Sequence, residues 1–424
     1  MVRPIAPEAA ALMDRWRERA LGLLQKPVKE LVSSLLTYEF PTLSPTQIDV
    51  VLAELESGGS PHPPAKKPRK SSPKKPFQIG NYAQKMIVLQ VAYFGSGTLG
   101  FAVQSQRELE TIEGSLIHAL RHTRLVDPKA ASKDFLWSKC GRTDKDVSAA
   151  ANAVALQARV VPDYAKILNR ALPAHIQVIG EADAPKLKDF SVRFNCVSRT
   201  YKYLMFQDGV DVERMQHAAA LFVGKHDFRN FCKVEAVTAA TRTSWERNVE
   251  KVDLVQRKDG MIEFTIKAEG FLYHQIRCIV SILLLIGHGK EEPSLISELL
   301  NVIKHPRKPV YDLADPLPLI FYDCEISTEI ENQNLKFHLS EEAGRIVMEN
   351  FTKRLRELTV KKEIAQTQIA RLQETLSVHV EFQQLAVPRN VAYVPILDRP
   401  AGKTLEEMAA LYEGNKVIDE DLDD

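Results

Sequence analysis

Cysteine is scarce and scattered. Five stand among 424 residues, Cys140, Cys196, Cys232, Cys278 and Cys324, with no CxxC pair. That spacing offers no zinc site and no disulfide framework, and it fits ordinary core thiols in a reducing compartment. An excess of one charge is missing as well: 56 Lys and Arg stand against 55 Asp and Glu, a net +1, so overall charge gives no reason to expect a nucleic-acid partner. Any field for RNA has to come from basic side chains gathered on one face. No apolar run reaches the ~20 residues of a membrane-spanning helix; the longest, 276–286, is interrupted by Arg277. Met1-Val2-Arg3-Pro4 leads into no apolar signal region, so a soluble, intracellular protein is expected. The glycine turn Phe94-Gly95-Ser96-Gly97-Thr98-Leu99-Gly100 holds neither GxGxxG nor a Walker lysine, and a nucleotide cofactor is not indicated.

What is present is an ordinary globular composition, 45% apolar and 26% charged, long enough for two or three domains. Residues 1–57 form a helical N-terminal extension, with Leu12, Trp16, Leu23 and Leu24 at helical spacing and a capping box at Ser44-Pro45-Thr46-Gln47. It is either a docking module or an extension packed on the core. Residues 58–80 are a basic flexible linker. Lys66-Lys67-Pro68-Arg69-Lys70 and Ser71-Ser72-Pro73-Lys74-Lys75 have the composition of a nuclear localisation signal, with plain phosphate affinity as the alternative. From Met86 the pattern turns to compact α/β. Strands are expected over 86–93, 190–197 and 198–206, with a hairpin of 249–255 and 261–268 around Lys258-Asp259-Gly260. Helices are expected over 110–123, 165–172 and 215–223, and the stretch 270–281 enters a helix ending at Gly287. His118 and His122 share metal-ligand spacing but lack a third ligand nearby, so a helix-surface reading is preferred. Residues 331–390 are a long-helix extension in which Phe351, Leu355, Leu358, Lys362, Ala365, Ile369, Leu372 and Leu376 keep heptad steps with one lysine defect. That seam serves a dimeric coiled coil or packs on its own catalytic domain. Residues 391–424 are a tail with an acidic end.

Three stretches carry chemistry. Cys140-Gly141-Arg142-Thr143-Asp144-Lys145-Asp146-Val147-Ser148 is a polar knot running into the small, apolar segment 149–157. It reads as a reactive loop fixed to a rigid element, or as a polar turn entering a core strand. Ser198-Arg199-Thr200-Tyr201-Lys202-Tyr203 continues strand chemistry, with Arg199, Tyr201 and Tyr203 on one face. Phe271-Leu272-Tyr273-His274-Gln275-Ile276-Arg277 opens a helix in which a buried guanidinium would require an acid in space.

The ordered set of Gly141-Arg142-Thr143-Asp144, Arg199-Thr200-Tyr201-Lys202-Tyr203 and Phe271 to Arg277 resembles the TruA-type tRNA pseudouridine synthases. The resemblance extends over roughly 85–326, with further matches at Phe222-Val223-Gly224-Lys225-His226-Asp227-Phe228 and Pro318-Leu319-Ile320-Phe321-Tyr322-Asp323-Cys324. Within the family the chain is similar to the eukaryotic tRNA pseudouridine-38/39 branch, and Tyr393-Val394-Pro395-Ile396-Leu397 matches that branch's tail. The resemblance implies an α+β pseudouridine synthase fold over 81–330, two α/β subdomains split near 205–215, with a largely antiparallel sheet around a central RNA-binding cleft and helical extensions at both ends. It implies an isomerase converting uridine to pseudouridine in the anticodon stem-loop of tRNA, needing no metal and no small-molecule cofactor; a non-catalytic tRNA-binding protein or RNA chaperone on the same fold is the alternative. Asp144 is then the nucleophile or the acceptor of a sugar proton, and Arg277 its ion-pair partner. Tyr201 packs against the target base and helps remove the C5 proton. Arg142 fills the gap left by the flipped uridine, and Thr143, Lys145 and His274 join Arg142 and Tyr201 in contacting RNA. The resemblance also implies tRNA as partner, no membrane, and a homodimer, as in bacterial relatives. With the basic linker, nucleus and cytoplasm are the expected locations. Two positions depart from the family pattern: Asp146 where a glycine is usual, and Thr98 where an aromatic is common.

Overall fold

The computed structural model describes residues 77–104, 107–328, 333–376 and 393–420. The helices expected over 1–57 and most of the basic linker lie outside these. Among the described residues no helix is long and apolar enough to cross a membrane.

One sheet organises residues 84–326. Its strands are β1 (Gln84–Tyr93), β2 (Ser138–Lys139), β3 (Ser148–Arg159), β4 (Ile176–Asp183), β5 (Cys196–Phe206), β6 (Gly224–Asp227), β7 (Glu246–Gln256), β8 (Met261–Ala268) and β9 (Leu319–Ile326). They run in the order β4-β1-β3-β9-β5-β8-β7-β6, with β2 paired to β3. Every pairing is antiparallel except β3 with β9, where Ser148 lies opposite Ile320 and Ala149 opposite Phe321. A parallel pair cannot be closed by a hairpin. Here the last strand returns from the far half of the chain to join the two halves of the sheet.

The strands follow their side-chain pattern. On β8, Ile262, Phe264, Ile266 and Ala268 are buried in strict alternation, so one face packs on helices and the other is partly open. On β1, Ile87, Val88 and Leu89 are all buried, as in a strand covered on both faces. The turn between β7 and β8 holds Gly260 at φ +78°, a conformation that favours glycine.

The helices of this region are α1 (Ile112–His122), α2 (Tyr164–Asn169), α3 (Val212–Ala220), α4 (Ala236–Thr241), α5 (Gln275–Gly287) and α6 (Ser294–Leu300). Thr111, Asp163 and Asp211 start α1, α2 and α3 by accepting backbone N–H bonds on their side chains. Asp211 explains why α3 begins three residues earlier than its apolar spacing indicates. Two cores result. The first gathers β1, β3 and β4 with α1 and α2, and includes Phe101, Leu116, Leu156 and Phe321. The second gathers β7 and β8 with α3, α5 and α6, and includes Phe222, Phe228, Phe231, Phe264 and Ile279. Tyr201 packs against both.

Two expectations change. The alternation over 190–195 does not make a strand: Ser191 N–H donates to Asn195 Oδ1, and the N–H groups of Phe194 and Asn195 return to Ser191 O, closing a turn that leaves Phe194 80% exposed. The heptad seam divides. It lies on α7 (Glu341–Leu376), whose first turns dock on residues 84–326 through Ala343, Val347, the Glu342 ion pairs to Lys166 and Arg170, and the edge-to-face contact of Phe351 with Phe94. Further along, Leu355, Leu358 and Leu372 of the seam are exposed, at 66% for Leu355 and 56% for Leu372. A last helix, α8 (Leu405–Glu420), packs on α4.

Candidate active site

The loop 141–147 connects β2 to β3 with one end in each core, Cys140 and Ala149 in the first and Val147 in the second. Its entry is clamped by Asn152 of β3, fully buried, which accepts from Gly141 N–H at 3.0 Å and donates to Gly141 O at 3.1 Å. The Asn152 amide also donates to the Tyr93 hydroxyl at 3.2 Å, and that hydroxyl meets Thr143 Oγ1 at 2.8 Å. A side-chain Cβ at Gly141 would lie 2.5 Å from the Phe321 ring, so only glycine fits this approach.

The far side of the loop rests on the glycine turn after β1, which answers what that turn is for. Gly95 N–H donates to Ser148 Oγ at 3.0 Å, Gly97 N–H to Asp146 Oδ1 at 2.9 Å, and Phe101 N–H to Thr143 O at 3.0 Å. A Cβ on Gly95 would stand 2.1 Å from Val147 O. Thr98 is buried and closes the turn on itself, Oγ1 to Gly95 O at 2.8 Å. Asp146 sits at φ +66°, so the backbone does require the left-handed region there. Its side chain, though, is the second half of a tether to the glycine turn, a bond that glycine could not make.

Held this way, Asp144 projects from the loop about a quarter exposed. Burial pushes its carboxyl above the usual carboxylate range, while the charges of Arg277 and then Lys233 pull it back. The expected Arg277–Asp144 ion pair is not there: among the described residues no ion pair joins them. Arg277 is only half-buried, and its Nε donates to Ala314 O at 2.7 Å, so a carbonyl meets the need assigned to an acid. Its charge reaches Asp144 through space. The residue that does touch Asp144 is His274, with Nε2 at 3.4 Å from Oδ2.

Tyr201 lies between Phe271 and Phe321, edge-on to both, with ring centroids 5.2 and 5.0 Å away. Burial, first of all, holds its phenol well above the ordinary range, and Tyr93, Cys140 and Asp144 add to the shift. A phenol held neutral by burial is a packing surface and a hydrogen-bonding group. Among the RNA contacts expected from sequence, Arg142 and Lys145 are exposed and have no hydrogen-bond or ion-pair partner among the described residues. Thr143 is buried and its hydroxyl meets that of Tyr93, so it serves the loop. His274 is 11% exposed and lies against Asp144.

Lys233 and Lys308 were missed. Lys233 sits over the Tyr273 ring at 5.3 Å, and Lys308 donates to Cys232 O at 2.9 Å, which fixes the residue before Lys233. Asn152 and Tyr93 were missed too, because each looks like ordinary strand content until its partner, 11 and 50 residues away, is placed beside it. Among the described residues no group of three or more His, Cys, Asp or Glu could hold a metal ion.

With the fold and the setting of Asp144 described, comparison with known proteins supplies the family. The profile of the family described as tRNA pseudouridine synthase matches residues 218–326. The chain is 35% identical over 301 residues to a Caenorhabditis elegans protein named probable tRNA pseudouridine synthase tag-124, covering 63% of this chain and 73% of the relative. It is 37% identical over 284 residues to a Bos taurus tRNA pseudouridine(38/39) synthase and 34% identical over 273 residues to one from Saccharomyces cerevisiae. These cover 60% of this chain in each case, and 58% and 60% of the relative. This chain belongs to the tRNA pseudouridine synthase family. It spans about three fifths of the length of the mammalian and yeast relatives it matches. Among solved structures it is similar to a chain of a Cbf5-Nop10-Gar1 complex at 15% identity and a TM-score of 0.26, covering 52% of each.

Two measurements check the loop. Asp146→Gly exchanges a lost hydrogen bond for relief of the left-handed backbone, each worth about 1 kcal/mol, so urea unfolding places it within about 1 kcal/mol of wild type. Asp146→Ala loses the bond and keeps the strain, and is destabilised by about 1–3 kcal/mol. Because burial raises the Asp144 carboxyl, the folded chain binds that proton more tightly than the unfolded chain, and stability falls as pH rises through the folded pKa. Asp144→Asn is therefore more stable than wild type at pH 7. The gap in urea midpoints closes in acid, where the wild-type carboxyl is protonated in both states.

Proposed function

We propose that this chain isomerises uridine to pseudouridine in tRNA, with Asp144 as the reacting carboxylate. The observation that carries this reading is the setting of Asp144: partly buried, held by loop anchors on both sides, within the field of Arg277 and Lys233, and flanked by the unpartnered, exposed cations Arg142 and Lys145. The reaction breaks the C1′–N1 bond, turns the base and forms C1′–C5; N1 gains a proton and the C5 proton leaves. Atoms and charge balance within the substrate, so no redox partner is needed. Asp144 acts either as nucleophile or as acceptor of a sugar proton, and both routes need it ionised, which the neighbouring cations favour. Tyr201 offers a rigid aromatic face at the base, and Arg142 is free to enter the stack when the uridine leaves it. Relatives named for positions 38 and 39 point to the anticodon stem-loop as the target. The Asp146 departure from the family's usual glycine would favour a binding-only protein, and the tether to Gly97 gives that residue another role.

The exposed half of α7, with Leu355, Leu358 and Leu372, supports a homodimer built on its seam. The basic run 66–75, which lies outside the described residues, supports presence in both nucleus and cytoplasm.

Tritium release from tRNA labelled at uridine C5 tests the activity. Wild type releases tritium and Asp144→Ala falls to background while binding tRNA; equal release from both, or none from a wild type that binds tRNA, rejects the reading. For the dimer, light scattering finds twice the chain mass, and Leu355→Glu with Leu358→Glu halves it; a wild type at single-chain mass rejects it.

A further inference from the structure

His274 stands in an unusual position. It precedes α5 in the left-handed region, φ 59° and ψ 11°, which a residue other than glycine adopts at a cost of about 1–2 kcal/mol. It makes no side-chain cap bond to the helix, so helix capping does not account for it. In this conformation the imidazole is 11% exposed, tilted by 38° against the Tyr273 ring at 3.8 Å between centroids, with Nε2 3.4 Å from Asp144 Oδ2. Strain kept in a site whose geometry depends on it is a sign of function.

The two ring nitrogens are not equivalent. Nδ1 is buried with no hydrogen-bond partner. Were the proton on Nδ1, a buried N–H would go unpaired and the Nε2 lone pair would face the carboxylate, two penalties together. With the proton on Nε2, the N–H lies beside the Asp144 carboxylate, at 3.4 Å between heavy atoms, and only a lone pair is left unmatched. Gaining a second proton is opposed by burial and by the three cations around the ring, Arg277 on α5, Lys233 after the 3₁₀ turn at 229–231, and Lys308 on the segment before β9, which bring the imidazole down to about 4. Among the described residues, Asp144 is the one acid in ion-pair range of the ring.

We propose that His274 is a positioning residue for Asp144: a neutral imidazole whose Nε2–H aims the carboxylate and supports its charged form, while its bare Nδ1 remains an acceptor inside the site. This rests on the function proposed above and assigns His274 to the carboxylate in place of an RNA contact. A neutral donor suits this place. It stabilises the negative form without forming a tight ion pair that would blunt the carboxylate, and the 3.4 Å spacing leaves room to shorten when substrate closes the site.

The test uses His274→Gly, which accepts the left-handed backbone but removes the donor, and His274→Asn, which also tolerates that backbone and returns an N–H. His274→Gly lowers kcat for tritium release about 10- to 100-fold, the worth of a hydrogen bond to a charged group, with tRNA Kd unchanged. Activity needs the carboxylate ionised, so it is lost as pH falls; without the donor the acid limb of the kcat/KM profile moves to higher pH, and His274→Asn restores both rate and limb. Nitrogen NMR of the histidine side chains, with His274 assigned by its loss in the Asn variant, finds the neutral Nε2–H form from pH 5.5 to 8. Unchanged kcat in His274→Gly with weakened tRNA binding, or no recovery in His274→Asn, overturns the proposal. So does an Nδ1–H or doubly protonated ring at pH 7, a result readable even if wild type releases no tritium, which would instead defeat the proposed activity.

Discussion

The seven residues from Gly141 to Val147 are tied into two hydrophobic cores at once, and the rest of the catalytic region is arranged to keep them there. The first core holds the loop through β3 and the buried Asn152 clamp; the second takes Val147. Between these anchors the backbone has little freedom, so the position of Asp144 follows from the packing of both halves. The parallel β3–β9 pair and Phe321, against which Gly141 and Tyr201 both lie, bring the halves into register at the same place. A reactive group mounted on a loop is thereby given the precision of a strand.

Charge in the site is distributed, not paired. A carboxylate in a tight bidentate ion pair with arginine would be strongly acidic and fully occupied. Here Arg277 spends its Nε on Ala314 O, and its charge, with that of Lys233, acts on Asp144 across a gap. The direct neighbour is a histidine whose charged form the same cations suppress. The negative charge is thus supported by nearby cations without being tied up in an ion pair with either of them.

The departure at Asp146 shows how local strain and local bonding trade against each other. The left-handed backbone is the part of the family pattern that glycine serves, and aspartate meets it while adding a hydrogen bond to Gly97. The residue that departs from the family's usual glycine is, in space, part of the joint between the two loops.

Much of this was readable from the chain. The apolar run ending at Gly287, the alternation of β8 and the glycine at the β7–β8 turn each follow from local periodicity and backbone preference. The order of the Asp144, Tyr201 and Arg277 stretches was enough to indicate the family to which the comparisons assign the chain. The alternation at 190–195 misled because Ser191 and Asn195 satisfy each other's backbone at short range before a strand partner can. The missing ion pair misled for a different reason: hydropathy along a helix gives the average burial of a segment, and it says nothing of which carbonyl lies within reach of one guanidinium. Sequence by itself determined which residue types stand in the loop, the strands and the helix. Only the tertiary structure decided that His274 touches Asp144, that Thr143 turns inward, and that Asn152, Lys233 and Lys308 belong to the site. Those relations join residues tens to more than a hundred positions apart, and chain periodicity carries no information about distances of that kind.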